Sequence, residues 1–290
     1  MVIYRPDIKP PMWGPPDAVQ YAVRVNAERM GIDPDSLILN LPFWEGAGTT
    51  VTNISTGRKF HIGNTSVLNS RGVVFNGSSC LDISAETRLG FWHNKSDAYS
   101  IIIPGLHGNA LGDRRFFAFG ASGATFMGLG TDNHSPNRKF RCFQTAGFNG
   151  FWTFYSNDDF FGVGPINFAC TFVKDEYFSL YKDGTRDSYI YRDASTTTAD
   201  TPFICIGAAI RGNNPSGFSF FTGSMQSVLV FDGLLTPSQI ATLHHTPYAL
   251  LMPVARPVFF DLGAGQGVAK PTNLAGAATL NTITWTWTAG

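Results

Sequence analysis

Apolar and polar residues alternate in short runs along most of the chain. From residue 37 onward these runs are rich in Val, Ile, Phe and Tyr, and turns containing Gly, Asn, Asp or Pro separate them. Examples are AYSIII, INFACTFVK and YFSLYKDG. Short strands divided by frequent turn signals are typical of a β-sandwich. The pattern therefore predicts an all-β, antiparallel sandwich, and Asn76-Gly77 within GVVFNGSSCLDI predicts a two-residue hairpin.

Two segments have helical signals instead. Residues 17–30, DAVQYAVRVNAERM, follow a Pro-rich stretch and precede Gly31, which can close a helix. Near the other end, LLTPSQIATLHH offers Thr236 as a helix cap, Pro237 at the first helical position and Gln239 three residues after the cap. That spacing is a capping box. The sequence thus predicts one short helix before the strands and one after them.

Composition divides the chain into four segments. Residues 1–36 are Pro-rich and are expected to form a docking arm with a short helix, and 37–255 contain the sandwich. Residues 256–270 are a Gly-rich linker, and 271–290 have the alternation of two strands. The arm could dock on another molecule or lie over the domain's own surface. The last segment is too short to close a sandwich, so it must pair with another sheet, form an interface or begin a further domain.

Charge and hydropathy narrow the classes of partner. The formal net charge is +0 and only 14% of residues are charged, so no global field attracts nucleic acid or an anionic membrane. No run of 18 apolar residues is present, which predicts no membrane-spanning helix. The opening MVIYRPDIKPPMWGPP lacks the apolar core of a signal peptide. The cysteines have no CxxC spacing, which favours buried free thiols and leaves a disulfide open. They are Cys80, Cys142, Cys170 and Cys205.

Three stretches resemble laminin-G-like (concanavalin A-like) jelly-roll domains. LPFWEGAGTTVTNISTG, followed by GVVFNGSSCLDI, is similar to the opening of such domains. FACTFVKDEYFSLYKDGT resembles their paired central strands, and FTGSMQSVLVFDGLLTPSQIATLHHTPYALLMP resembles their closing strand and helix. The resemblance implies a jelly roll over residues 37–255. The chain departs from the family at Asn53, where an Asp is usual, and the change removes a charge that would help a nearby calcium ion.

A second resemblance concerns the setting of the domain. The arm, the jelly roll and the trailing MPVARP segment resemble virion proteins of tailed bacteriophages, and KPTNLAGAATLNTITWTWTAG resembles the first strands of a fibronectin type III domain. This implies a virion location after synthesis in the host cytoplasm without a signal peptide. It also implies homo-oligomeric display, with other virion subunits contacted through residues 1–30 and 265–290.

The carboxylates argue against catalysis. Glycosidases on this fold need two carboxylates on one face, about 5–5.5 Å apart in retaining enzymes. Asp158-Asp159 and Asp175-Glu176 are adjacent pairs, so each pair is expected to point to opposite faces of a strand. Glu45 stands alone before a glycine turn. We therefore predict that the chain is not an enzyme, that Glu45 accepts backbone N–H groups of residues 46–49, and that Trp44 belongs to the core.

Two sets of polar and aromatic residues could bind ligands. Lectin-like sandwiches bind glycans with aromatic and Asn side chains on rim loops, and the alternative is that Trp92 and Trp152 cap the core. The predicted carbohydrate-binding residues are Trp92, His93, Asn94, Asn149, Trp152, Asn213 and Asn214. Asp132 and Asn133 could offer oxygens to Ca²⁺, although calcium often takes two or more carboxylates. No other cofactor is predicted. His244 and His245 are adjacent at a helix end, so their side chains are expected to diverge and not to bind one metal ion together.

The resemblance to virion proteins implies a structural protein of a phage particle, a capsid or tail decoration or a fibre component, that displays a lectin-like domain anchored by its terminal segments. The alternative is a glycan-binding adhesin for host attachment, which differs in having host surface glycans as partners. A carbohydrate-active enzyme is a remote alternative, because the sequence lacks the carboxylate spacing that hydrolysis needs.

Overall fold

The computed structural model describes most of the chain in seventeen segments. They are residues 16–45, 47–62, 66–69, 72–78, 80–86, 98–108, 115–121, 126–131, 139–146, 150–161, 164–173, 176–191, 202–211, 214–218, 220–254, 274–279 and 282–287. Two compact units are present, Met1–Val254 and Ala255–Gly290.

The first unit contains two helices and nineteen strands in its described residues. The helices are α1 (Pro16–Arg29) and α2 (Pro237–His245), with 3-10 turns at Pro34–Ser36 and Ala249–Leu251. The strands are β1 (Leu37–Leu41), β2 (Thr50–Thr52), β3 (Lys59–His61), β4 (Val67–Asn69), β5 (Gly72–Asn76), β6 (Leu81–Asp82), β7 (Ala98–Gly108), β8 (Arg115–Ala121), β9 (Phe126–Thr131), β10 (Lys139–Ala146), β11 (Gly150–Asp159), β12 (Ile166–Val173), β13 (Tyr177–Lys182), β14 (Thr185–Tyr191), β15 (Pro202–Ile206), β16 (Ala209–Arg211), β17 (Asn214–Phe218), β18 (Thr222–Met225) and β19 (Val228–Phe231).

Two large antiparallel sheets form the body of this unit. The nine-stranded sheet has the order β14-β13-β12-β7-β18-β5-β4, and β19 and β1 also join it beside β7. The 11-residue strand β7 is long enough to pair with β19 near its start and with β18 at its end. The six-stranded sheet has the order β11-β10-β9-β8-β15-β6. The predicted all-β antiparallel sandwich is therefore confirmed.

Phenylalanines fill the space between the two sheets. Phe116 of β8 and Phe140 of β10 meet Phe168 of β12 across the sandwich, with ring centroids 5.2 and 4.9 Å apart. Phe154 and Phe178 make a similar contact at 5.8 Å between β11 and β13. Large rings on alternate residues of facing strands span the roughly 10 Å gap between packed sheets. The abundance of Phe in the composition thus reflects this core.

The two helices cover the outer face of the nine-stranded sheet. Val19 and Val23 of α1, together with Ile240 of α2, are buried in one apolar cluster with Ile102 and Leu229 of the sheet. Both predicted helices are confirmed, and the capping box of α2 is present. Of the two alternatives for the arm, residues 18–29 lie over the domain's own surface. Residues 1–15 are outside the described residues.

The hairpin predicted at Asn76-Gly77 is wrong. Strand β5 ends at Asn76 and pairs with β4 and β18 in the nine-stranded sheet. Strand β6, only a few residues later, pairs with β15 in the six-stranded sheet. Gly77 does adopt a positive φ of 87°, but the turn carries the chain from one sheet to the other. Val73 and Leu81 consequently enter the same core from opposite sheets.

In the second unit, the described residues form one antiparallel pair, β20 (Leu274–Thr279) and β21 (Thr282–Trp287). The register runs from Leu274 opposite Trp287 to Thr279 opposite Thr282. Two strands were predicted in this region. The fibronectin type III resemblance remains a prediction.

Candidate functional site

The LPFWEGAG corner divides its aromatic residues between two cores. Phe43 has a φ of 49° in the left-handed region and is fully buried between the sheets. Trp44 is partly buried and packs against the cluster beneath the helices. Glu45 Oε1 accepts the backbone N–H of Thr52 at 2.8 Å. We predicted donors within residues 46–49, but the donor found among the described residues, Thr52, lies in β2. The Glu45 carboxylate therefore joins the corner to that strand.

A buried polar cluster follows this corner, and its hydrogen bonds explain why residue 53 is an asparagine and not an aspartate. Asn53 is fully buried, and its Oδ1 accepts the N–H groups of Asn40 and Ser55 at 2.9 and 3.1 Å. Its Nδ2 donates to the carbonyl of Ile38 at 3.1 Å and to Glu86 Oε2 at 3.0 Å. An aspartate accepts but cannot donate, so it could not replace both amide contacts. The side chain thus organises β1 and the following turn.

Glu86 is the second buried member of the cluster. It is 3% exposed, and the same Oε2 that faces Asn53 also accepts the Thr56 hydroxyl at 2.9 Å. The carboxylate therefore links the 53–57 turn to the segment after β6, more than thirty residues further along the chain. Because the carboxylate is buried and accepts hydrogen bonds from Asn53 and Thr56, it has a structural role in joining these two segments.

The structure describes little of the predicted carbohydrate site. Trp92, His93, Asn94, Asn149 and Asn213 lie outside the described residues, as do Asp132 and Asn133 of the candidate calcium loop. Trp152 lies in β11 opposite Gln144, and Asn214 begins β17 opposite Arg211. Their roles in ligand binding remain predictions.

An edge of the sandwich that the sequence analysis did not single out combines several polar groups. Strands β11 and β14 are the edge strands of the two sheets on one side. The Asp187 carboxylate accepts the N–H groups of Asn157 and Asp158 at 2.8 and 2.9 Å, and Asn157 Nδ2 donates to the Asp187 carbonyl at 2.8 Å. Asp187 therefore closes the sandwich edge. These partners are about thirty residues apart in sequence, so no local motif could have identified them.

Exposed tyrosines flank this edge. The Tyr189 side chain is 61% exposed, and the Arg186 guanidinium lies 5.3 Å from its ring centroid. Tyr155 of β11 is 42% exposed. Phe154, next to Tyr155, and Ile190, next to Tyr189, face the core between the sheets. Each tyrosine therefore projects from the outer face of its own sheet, and the two lie on opposite outer faces of the sandwich. Arg186 lies over one face of the Tyr189 ring in a cation–π contact.

His244 is tied to the nine-stranded sheet. Asn167 Oδ1 accepts the Gly105 N–H at 2.9 Å, which turns the amide Nδ2 toward His244 Nδ1 at 2.7 Å. His244 Nδ1 must therefore be the acceptor, and the neutral ring carries its proton on Nε2. Burial lowers the pKa of His244, and the nearby Asp183 carboxylate partly offsets that effect while His245 adds to it.

The two histidines do not diverge as predicted. The rings of His244 and His245 lie 4.8 Å apart at an angle of 56°. Within the described segments, no group of three or more His, Cys, Asp or Glu side chains is arranged to hold a metal ion. The helices of these segments also include none that is long and apolar enough to span a membrane.

Comparison with known proteins identifies the fold but no family. No protein-family model and no curated protein matches the sequence. Domain 4 of AbnA, a GH43 extracellular arabinanase from Geobacillus stearothermophilus solved in complex with arabinotriose, is 15% identical, with a TM-score of 0.50. The match covers 72% of this chain and 98% of that domain.

A sialidase from Trypanosoma rangeli is also similar in structure. Its complex with 2,3-difluorosialic acid, a covalent intermediate, is 13% identical with a TM-score of 0.54, and the match covers 80% of this chain. The complex with sialic acid is 15% identical with a TM-score of 0.53. The chain spans only 38% and 34% of the sialidase in these matches. At such identities the likeness establishes the fold, and this chain has the β-sandwich fold found in parts of carbohydrate-active proteins.

Proposed function

We propose that the chain is a carbohydrate-binding sandwich that does not cleave its ligand. The observation that carries the proposal is the match to the arabinanase domain solved with arabinotriose, because it covers 98% of that domain. A whole small domain of the same fold thus has a sugar as its ligand. The sialidase match spans about a third of the enzyme, so it gives no comparable support for hydrolysis.

The described carboxylates support binding over catalysis. Glu45 accepts the Thr52 N–H, and Glu86 is buried against Asn53 and Thr56. Asp187 accepts two backbone N–H groups at the sandwich edge. Each of these three carboxylates accepts a structural hydrogen bond through at least one oxygen, whereas a glycosidase needs one carboxyl group to donate a proton to the leaving oxygen and another to attack or activate water.

Two surfaces are candidates for the sugar. The first is the predicted rim set, Trp92, His93, Asn94, Asn149, Trp152, Asn213 and Asn214. The second is the exposed Tyr189 ring with Arg186 beside it. Aromatic faces stack on the apolar face of a sugar ring, and nearby charged or amide groups hydrogen-bond to its hydroxyls.

A glycan-array screen of the full chain tests this function and locates the site. We expect retention of a defined glycan class, lost in Trp92→Ala or Trp152→Ala if the rim binds, and lost in Tyr189→Ala if the edge binds. Val67→Ala, at an exposed residue of β4 on the opposite edge of the nine-stranded sheet, is the matched control. Absence of any retained glycan, or release of a shortened product, would contradict the proposal.

We further propose that this domain is displayed, in several copies, on a tailed-phage particle. The support is the resemblance of the arm, sandwich and trailing segment to virion proteins. Repeated copies would convert weak sugar contacts into avid attachment. Electron microscopy of purified particles tests this role: density for the sandwich at symmetry-related positions, with residues 1–15 and 265–290 against neighbouring subunits, is expected. Recovery of the chain only free of particles would refute it.

A further inference from the structure

Two of the four cysteines are brought together across the pairing of β6 and β15. Strand β6 begins at Leu81, directly after Cys80, and pairs antiparallel with β15 so that Asp82 faces Cys205. Cys80 lies two residues before Asp82, and its thiol is hydrogen-bonded to the thiol of Cys205. Cys80 packs against a small buried cluster that contains Cys205 and Ala208.

The other two cysteines have a different setting. Cys142 and Cys170 are fully buried in the main core between the sheets. All four side chains are free thiols. The pair formed by Cys80 and Cys205 is therefore separated from the other thiols and lies in its own cluster.

The members of the pair differ in access and in acidity. Cys80 is partly exposed, whereas Cys205 is fully buried. The hydrogen bond to the Cys205 thiol lowers the pKa of Cys80, and burial raises the pKa of Cys205 well above its usual value. A partly exposed cysteine with a lowered pKa is the form that attacks disulfides, and a neighbouring buried thiol can resolve the product.

We propose that Cys80 and Cys205 form a reversible disulfide when the chain meets an oxidising, disulfide-containing environment. The Cys80 thiolate attacks one sulfur of a small disulfide such as oxidised glutathione, and the first glutathione leaves as a thiolate. Cys205 then loses its proton and attacks the Cys80 sulfur of the mixed disulfide, which expels the second glutathione. Two protein thiols are oxidised by two electrons, and one glutathione disulfide is reduced to two thiols.

The position of Cys80 outside β6 permits this disulfide, and the disulfide would close a long loop of the chain. Diagonal neighbours on paired strands are usually farther apart than a disulfide allows. Cys80, however, precedes β6, so the ladder spacing does not apply to it, and its thiol already lies within hydrogen-bonding reach of the Cys205 thiol. The bond would close the chain between residues 80 and 205 and would join β6 permanently to β15. Closing so long a loop restricts the unfolded chain strongly.

Mass spectrometry of the full chain after incubation with excess oxidised glutathione tests the proposal. Trypsin releases Cys80 in residues 72–88 and Cys205 in 193–211, whereas Cys142 and Cys170 share one peptide, 142–174. A linked 72–88/193–211 pair is therefore unambiguous. We expect this pair, a fall from four titratable thiols to two in denaturant, and a rise in Tm of about 5 °C or more that reduction reverses.

Variants separate the two steps. Cys205→Ser should accumulate a glutathione adduct on Cys80, while Cys80→Ser should keep all three remaining thiols free. The rate of the second step should rise with pH, because Cys205 must lose its proton. Four free thiols after prolonged oxidation, a stable Cys80 adduct in the unaltered chain, or linkage to peptide 142–174 would each overturn the proposal, and none of these readouts depends on carbohydrate binding.

Discussion

Substituting Asn53 by aspartate should damage the fold although the two side chains have nearly the same shape. The amide of Asn53 donates to the Ile38 carbonyl at 3.1 Å and to Glu86 Oε2 at 3.0 Å. A carboxylate removes both donors and places a second negative charge against Glu86 in a site that is fully buried. The Asn40 and Ser55 N–H groups keep their acceptor, so the loss comes from the Nδ2 side alone.

The expected loss can be estimated from these contacts. Leaving a buried acceptor without its donor costs about 1–3 kcal/mol, and breaking a buried, charge-assisted contact costs about 3–5 kcal/mol. We expect Asn53→Asp to lower the free energy of unfolding by about 3–5 kcal/mol at pH 7. Urea denaturation followed by tryptophan fluorescence measures it. The loss should be smaller at pH 5, because one of two carboxylates sharing a site takes up a proton more readily than an isolated one.

A matched control and a compensating change separate this cause from a general effect of charge. Asn76→Asp makes the same substitution in an exposed turn where only Oδ1 is used, accepting from Ser78, and should cost less than about 0.5 kcal/mol. Adding Glu86→Gln to Asn53→Asp should recover about 1–3 kcal/mol, because the introduced amide can donate to the introduced carboxylate. Equal losses for Asn53→Asp and Asn76→Asp would refute the reasoning.

Three further outcomes are expected. Asp187→Ala should speed hydrogen exchange at the Asn157 backbone amide and lower the free energy of unfolding in urea by about 1–2 kcal/mol. Unchanged exchange would contradict the role of Asp187 in joining β11 and β14 at the sandwich edge. His244 has a lowered pKa, so the stability that it contributes is present above about pH 6.5 and is lost as pH falls toward the lower folded value. His244→Gln should flatten that part of the Tm–pH curve, and an unaltered slope would exclude His244 as its source. Gly72→Ala places a Cβ against the backbone oxygen of Met225 and should lower the free energy of unfolding by about 3 kcal/mol or more. Gly48→Ala, where the added Cβ meets open space, should lower it by about 1 kcal/mol. Equal midpoints in urea for the two variants would refute the steric argument.

Local signals in the sequence predicted the elements that depend on neighbouring residues. The α2 capping box follows from Thr236 and Gln239, and the structure contains it. The Asp183-Gly184 turn between β13 and β14 follows from the same local chemistry, since both residues have positive φ angles. In these places the residues that determine the conformation lie within a few positions of one another.

Signals that depend on distant partners could not be identified in this way. Asn76-Gly77 has the sequence of a hairpin turn, but β18 pairs with β5 and β15 pairs with β6, which separates the two flanking strands. Likewise, the contact of Asn53 with Glu86 spans thirty-three residues. Such choices are decided by which sheet buries each apolar run, and the local pattern does not contain that information.

The candidate binding site was only partly accessible to sequence reasoning. Rim tryptophans were chosen by residue type, whereas the exposed Tyr189 was not, because the alternation in SYIYRD does not show which side of β14 faces the solvent. Exposure became clear only once Ile190 was placed in the core. Burial, which distinguishes a binding aromatic from a core aromatic, is a property of the assembled sheets.

Titration of the full chain with the strongest glycan from the array tests the central claim most directly. The account predicts saturable binding that excess free glycan competes away, with the glycan recovered intact after prolonged incubation. Binding should be lost on substitution of the rim tryptophans or of Tyr189, and retained in Val67→Ala. The absence of saturable binding, or recovery of a cleaved glycan, would contradict a carbohydrate-binding sandwich without catalysis.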